Sequence, residues 1–196
     1  MKLFVVSSKS SCEADHEWAE KFRSECKCPG CGARKRECLE RPIDVRLNQK
    51  PDISALNTVM PVSVSIVRTD FLNLFADEAP RWFLIGRVLD ATGCPVEGFA
   101  SYVGRKRLII RGGPESTRRT CDVCGRFVYC PLGSWYVMRS SLTGQPLYEG
   151  EVANLVLTEE MRMRIDRKRW KGIYVCELPV RDEPLDGISD FPDEKL

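Results

Sequence analysis

Cys28-Pro29-Gly30-Cys31-Gly32 and Cys121-Asp122-Val123-Cys124-Gly125 repeat one pattern: two cysteines separated by two residues and followed by glycine. Two such cysteines can reach a single metal ion from one tight turn. The glycine lets the backbone leave that turn with φ > 0, and amides of the turn can then point at sulfur and stabilise a thiolate. Zn2+ takes four ligands in a tetrahedron, with sulfur about 2.3 Å away. One such motif is equally a redox pair. Two, each with its glycine, point to one four-cysteine zinc site made by Cys28, Cys31, Cys121 and Cys124. The competing reading is two unrelated thiol pairs, or core cysteines that only share the spacing. Cys26 is a rival ligand to Cys28, but only Cys28 keeps the two-residue spacing. Four thiolates leave no position open for water, so such a site is structural rather than catalytic.

The 89 residues between Cys31 and Cys121 exceed a normal ribbon spacing, so they must form a folded unit whose ends meet. Within them Val62–Val67 alternates apolar and polar and predicts a strand. Trp82–Leu89, Phe99–Val103 and Leu108–Ile110 predict three more, with Gly104-Arg105-Lys106-Arg107 as a hairpin between the last two. Asp52–Pro61 reads as a loop or short helix, and Phe71–Ala76 as one or two helical turns. Before the first knuckle, Leu3–Val6 predicts a short buried strand. Ala14–Glu25 predicts a helix with Trp18 and Phe22 on one face. After the second, Asn154–Leu157 and Ile173–Leu178 predict strands. Between them a helix from Thr158 to about Arg169 buries Met161 and Ile165, with Glu159 and Glu160 in its first turn. The expected fold class is α+β. A zinc-ribbon-like pair of knuckles brackets a β-rich insert, and a strand–helix–strand closes the chain.

A chain of 196 residues with 43% hydrophobic content has apolar mass for a core, placed here at residues 1–180 as a single domain. Residues 181–196 carry six acids against two bases and read as an acidic, flexible tail. With the overall charge at +2, the body is therefore at +6. The apolar run Leu3–Val6 is too short for a signal peptide, and no stretch approaches a membrane span. A cytoplasmic location is expected, with no membrane partner. There the ten cysteines should be thiols or metal ligands rather than a disulfide framework. Cys12, Cys38, Cys94, Cys130 and Cys176 have no matching partners and are expected to be buried small hydrophobes.

With these features the chain resembles the double-CxxCG motif family, whose members are described as immunity proteins of bacterial toxin–immunity systems. His16-Glu17-Trp18 is similar to an aromatic segment before that family's first knuckle, and Arg41-Pro42-Ile43-Asp44-Val45 to its Pro-x-x-Asp segment. Cys121–Arg126 matches the second knuckle with its trailing arginine. Asn154 through Glu160 to Tyr174 is similar to the closing strand–helix–strand. The spacer from Trp18 to Cys28 is long for the family, and Cys26 is additional. The resemblance implies a protein that binds and neutralises a cognate toxin.

An enzyme needs a proton shuttle or an activated nucleophile. The single histidine, His16, has no hydrolase signature around it, and neither a phosphate-binding loop nor a dinucleotide turn is present. The pairs Asp77-Glu78 and Glu159-Glu160 are adjacent, as loop or cap charges are. The chain is expected to be a binding protein rather than an enzyme. A zinc-ribbon nucleic-acid-binding protein is the alternative, carried by Arg34-Lys35-Arg36, Arg105-Lys106-Arg107, Arg118-Arg119 and the run Arg162–Lys171. Glu37, Glu40 and Asp166 interrupt these clusters, as on an ordinary solvated face. Of the charged surfaces open to a toxin, the helix face of Arg162, Arg167 and Arg169 is preferred to the acidic tail. A rigid surface loses less entropy on binding.

Overall fold

Leu3–Ser8 (β1) is apolar at four successive positions because both of its faces are covered. Leu3 and Val5 pack with Leu108, Tyr148 and Val156, while Val6 turns to the other side, with Leu155, Leu157 and Met161. A strand buried on both faces reads as a continuous apolar run rather than an alternation. The structure is a computed structural model and describes residues 1–52, 54–150, 155–166, 170, 172–189 and 191.

The further strands are Ser11–Glu13 (β2), Val45–Arg46 (β3), Leu56–Met60 (β4), Val64–Arg68 (β5), Phe83–Leu89 (β6), Pro95–Gly104 (β7) and Arg107–Leu108 (β8). Thr117–Thr120 (β9), Phe127–Cys130 (β10), Val137–Met138 (β11), Leu147–Gly150 (β12), Leu155–Thr158 (β13), Ile173–Leu178 (β14) and Val180–Arg181 (β15) follow. One sheet has five strands in the order β14-β1-β13-β12-β8; the other has six, β2-β4-β5-β7-β6-β3. β9 and β10 form a separate antiparallel hairpin, and β11 pairs with β15 in parallel. Mixed sheets with a few helices make an α+β fold.

The helix His16–Cys26 (α1) starts at Asp15, whose side chain accepts the Trp18 amide at 3.0 Å. Its buried face, Ala19, Phe22 and Cys26, packs on Val45, Val59 and Val64 of the six-stranded sheet and on Leu47 and Val62 beside it. Trp18 and Phe22 stack with centroids 5.1 Å apart, as the i, i+4 spacing predicts. The short helices Thr69–Leu72 (α2) and Ala79–Trp82 (α3) lie before β6, and Phe71, Phe75 and Trp170 fill the core shared by the two sheets.

Three expectations change. Residues 52–61 contain β4 rather than a loop or short helix. Ala55, Leu56, Val59 and Met60 have helix-like spacing, but pairing with β2 on one side and β5 on the other holds them extended. Gly104–Arg107 is not a hairpin: β7 belongs to the six-stranded sheet and β8 to the five-stranded one, so the chain crosses between sheets there. The burial of Leu108 beside Leu3 and Tyr148 draws it across. The helix after Thr158 spans only Glu159–Met163 (α4), although Met161 and Ile165 are both buried. Its expected continuation over 167–169 lies outside the described residues, as does Asn154 at the start of β13.

The segment from Arg181 onward makes specific contacts. Asp182 bonds Arg139 at 2.7 Å. The buried Asp186 meets the buried Arg111 guanidinium and accepts the Tyr129 hydroxyl at 2.7 Å. Phe191 packs edge-on against Phe127 and Tyr129. The position 181 at which the charge changes lies within β15. Among the described residues, no helix is long and apolar enough to cross a membrane.

Candidate metal centre

The two knuckles are built alike. In the first, the Cys28 amide donates to the Ala33 carbonyl at 2.9 Å and the Gly32 amide to the Cys28 carbonyl at 2.8 Å. In the second, the Cys121 amide donates to Arg126 and the Gly125 amide to Cys121, both at 2.8 Å. Each closing glycine has a left-handed backbone, φ 71° at Gly32 and 69° at Gly125, which a β-carbon would oppose. The first knuckle follows α1, and the second is the turn of the β9–β10 hairpin. They meet where Gly30 faces the second knuckle: a β-carbon there would lie 2.7 Å from Val123 Cγ2 and 2.9 Å from Cys121 Sγ. Glycine at position 30 is therefore required for the knuckles to touch.

Across that contact, Cys28 Sγ lies 3.8 Å from Cys121 Sγ, and Cys31 Sγ lies 3.8 Å from Cys124 Sγ. All four sulfurs fall within 4.8 Å of one another. Thiolates about 2.3 Å from a tetrahedral ion are about 3.8 Å apart, so the cluster has the dimensions of a metal cage. The donors at sulfur are not the amides of the closing glycines, Gly32 and Gly125, which bond the cysteine carbonyls. Amides of Cys31 and Gly30 draw the Cys28 thiol down to about 6. Amides of Cys124 and Val123 lower Cys121 in the same way. Burial pushes Cys31 up to about 11, and proximity to the other thiols adds to it. The turn amides thus favour thiolate at Cys28 and Cys121, and a bound cation would favour it at all four sulfurs.

A second layer ties the centre to the seam between the sheets. Arg126, immediately after the second knuckle, donates from Nη1 to the Arg34 carbonyl at 2.8 Å. Arg34, just after the first knuckle, is buried and donates to Glu149 Oε1 at 3.0 Å and to the Ser63 carbonyl at 3.1 Å. Glu149 also accepts the Gly104 amide at 3.0 Å and lies 3.5 Å from Arg107 Nε. Burial lowers the pKa of Arg34, Glu149 raises it, and the neighbouring Arg107 charge lowers it again. Lys27 is lowered by burial first, then by Arg34, Arg23 and Arg107. Cation therefore crowds cation beside the metal cage.

Cys26 is not a rival ligand. It forms a disulfide with Cys38, against the expectation of free thiols, because α1 ends over the 3-10 turn Arg36–Cys38 with the Cα atoms 5.5 Å apart. Cys12 is buried as expected, and burial followed by the Asp52 charge raises its thiol to about 11. Cys94, Cys130 and Cys176 are exposed, contrary to expectation: each lies at an outward-facing strand or turn position. His16 is exposed on the first turn of α1, 4.0 Å from Glu20. Asp77 binds Arg164 at 2.7 Å and Glu78 accepts the Trp82 indole at 2.7 Å.

Of the basic clusters, Arg34/Arg36 and Arg105/Arg107 converge on one cavity, whereas Arg118 and Arg119 are exposed on β9. Arg162 lies over the Phe4 ring at 5.7 Å; Arg167, Arg169 and Lys171 lie outside the described residues. Sequence reasoning misses Glu149, for which no local pattern exists, because its role depends on Arg34 arriving from 115 positions away. No protein-family model matches this chain, and no curated protein resembles it closely enough in sequence to count as a match. The four cysteines can hold a metal ion and fit a cysteine-rich zinc-binding motif in the general sense.

Proposed function

We propose that this chain is a binding protein rather than an enzyme, closed by a structural Zn2+ on Cys28, Cys31, Cys121 and Cys124, and that it neutralises a cognate protein toxin. The four-sulfur cage between chain positions 93 residues apart carries this reading. An all-thiolate tetrahedral set suits zinc among the common divalent ions, and it spends every coordination position on the protein. Such a centre fixes a surface and leaves no place for a reacting water. In its two similar turns it is a zinc-ribbon-like element. The rigid surface it supports suits occlusion of a partner, and the toxin comes from the resemblance to double-CxxCG immunity proteins.

Two measurements test the proposal. Metal analysis of the purified chain should give one zinc per molecule. Co-expression with the toxin encoded beside it should protect a sensitive host only at stoichiometric levels. Protection at strongly substoichiometric levels would show an enzyme acting on the toxin or its target, and no protection would remove the immunity reading. The nucleic-acid reading is favoured by the exposed basic pair Arg118 and Arg119 on β9. Tight, salt-sensitive binding of DNA or RNA without protection would establish it.

A further inference from the structure

A cavity of about 480 Å³ lies beside the metal centre, in the size range of small-molecule sites. Six cationic side chains from three separate segments line it: Lys27, Arg34, Arg36, Arg105, Arg107 and Arg126. Among the described residues its one lining carboxylate, Glu40, is 3.4 Å from Arg36 and serves that exposed pair. Glu149, beneath the lining, is shared between Arg34 and Arg107. A divalent ion held by four thiolates would bring a net charge of minus two next to Cys31. Lys27, Arg105 and Arg126 have no carboxylate partner among the described residues.

Arg34 supplies a second, independent observation. Its side chain is only 5% exposed and lines the cavity, yet its Nη1 has no hydrogen-bond partner among the described residues. That atom is itself enclosed, so Arg34 would act on an anion in the cavity through its charge rather than by a bond from Nη1. Arginine forks match phosphate oxygens. At another part of the wall, Phe127, Tyr129 and Phe191 present aromatic surface. We infer that this cavity is a binding site for a phosphate-bearing small molecule with at least two negative charges, of nucleotide size. This goes beyond toxin neutralisation and does not rest on it. A flat nucleic-acid-binding face would spread its cations along a surface, whereas these surround a concavity sized for one small ligand.

The test is calorimetric titration of the full zinc-loaded chain with ATP, AMP, tripolyphosphate and adenosine. ATP or tripolyphosphate should bind one per chain, with affinity falling as salt rises. Adenosine should not bind. ATP binding more tightly than tripolyphosphate would identify a nucleotide and an aromatic contribution; equal affinities would identify a site for phosphate charge alone. Arg105 is exposed and makes no ion pair among the described residues, so Arg105→Glu should fold normally while weakening binding about tenfold or more. Arg118→Glu, on the exposed face of β9, should leave binding unchanged. Failure of both polyanions to bind at millimolar concentration would overturn the inference. So would binding indifferent to Arg105→Glu, or binding confined to long oligonucleotides.

Discussion

Replacing Cys121 with serine should cut the longest covalent-strength tie in the molecule. The proposed zinc joins knuckles whose paired cysteines are 93 residues apart in sequence. Closing a loop of that length removes about 4–5 kcal/mol of unfolded-chain entropy on the chain-entropy model. In a domain of this size each kcal/mol moves the melting temperature by about 2–4 °C, so the expected loss is about 8–20 °C. The assay is scanning calorimetry of zinc-loaded wild type and Cys121→Ser, each with and without a strong chelator, with Cys94→Ser at an exposed thiol as the control. Chelation and Cys121→Ser break the same link, so their effects should not add. Cys94→Ser should melt with wild type. A chelated wild type that melts within about 3 °C of the loaded protein would refute the structural role. Fully additive losses would refute the shared site.

Two further outcomes follow from buried charges. Glu149→Gln should leave Arg34 and Arg107 without their shared carboxylate and cost about 3–5 kcal/mol in urea unfolding; a loss under about 1 kcal/mol would mean the seam does not depend on it. At Asp186, burial raises the carboxyl pKa, but hydrogen bonds from Arg111 and Tyr129 and the Arg111 charge outweigh it and hold it below the ordinary value. That depressed pKa contributes stability above the ordinary carboxylate value of about 3.9, which is lost as pH falls through the folded value. Asp186→Asn should therefore destabilise at neutral pH and flatten the decline in stability below about pH 4; an unchanged acid slope would sink this account.

What can be read from the sequence is what local chemistry repeats. The knuckles are recognisable because each is a closed turn whose hydrogen bonds, glycine and sulfurs lie within six residues. Ile173–Leu178, Phe83–Leu89 and α1 are legible for the same reason: periodicity or capping marks them without help from the rest of the chain. β4 is not, because Ala55, Leu56, Val59 and Met60 carry helical spacing and only strands on both sides override it. The crossing at Gly104–Arg107 reads as a hairpin because turn chemistry cannot tell which sheet the next strand joins. Cys26 and Cys38 look unpartnered because nothing in their spacing shows that the helix end lies over a 3-10 turn. Glu149 belongs to the same class, a residue whose meaning is entirely in what reaches it.

The metal cage and the basic cavity are joined by the same side chains, which makes them energetically dependent. Arg126 leaves the second knuckle and holds the carbonyl of Arg34, and Arg34 leaves the first knuckle to reach Glu149. Glu149 in turn fixes Gly104 at the crossing between sheets, next to Arg105 and Arg107. The three cationic walls of the cavity therefore keep their spacing only while the knuckles stay together. Lys27 and Arg34 flank one pair of sulfurs and Arg126 follows the other, so loss of the proposed metal would free the first wall to move against the third. Occupancy of the cavity should then tighten zinc retention by the same factor that zinc tightens ligand binding, since coupling between two sites is reciprocal.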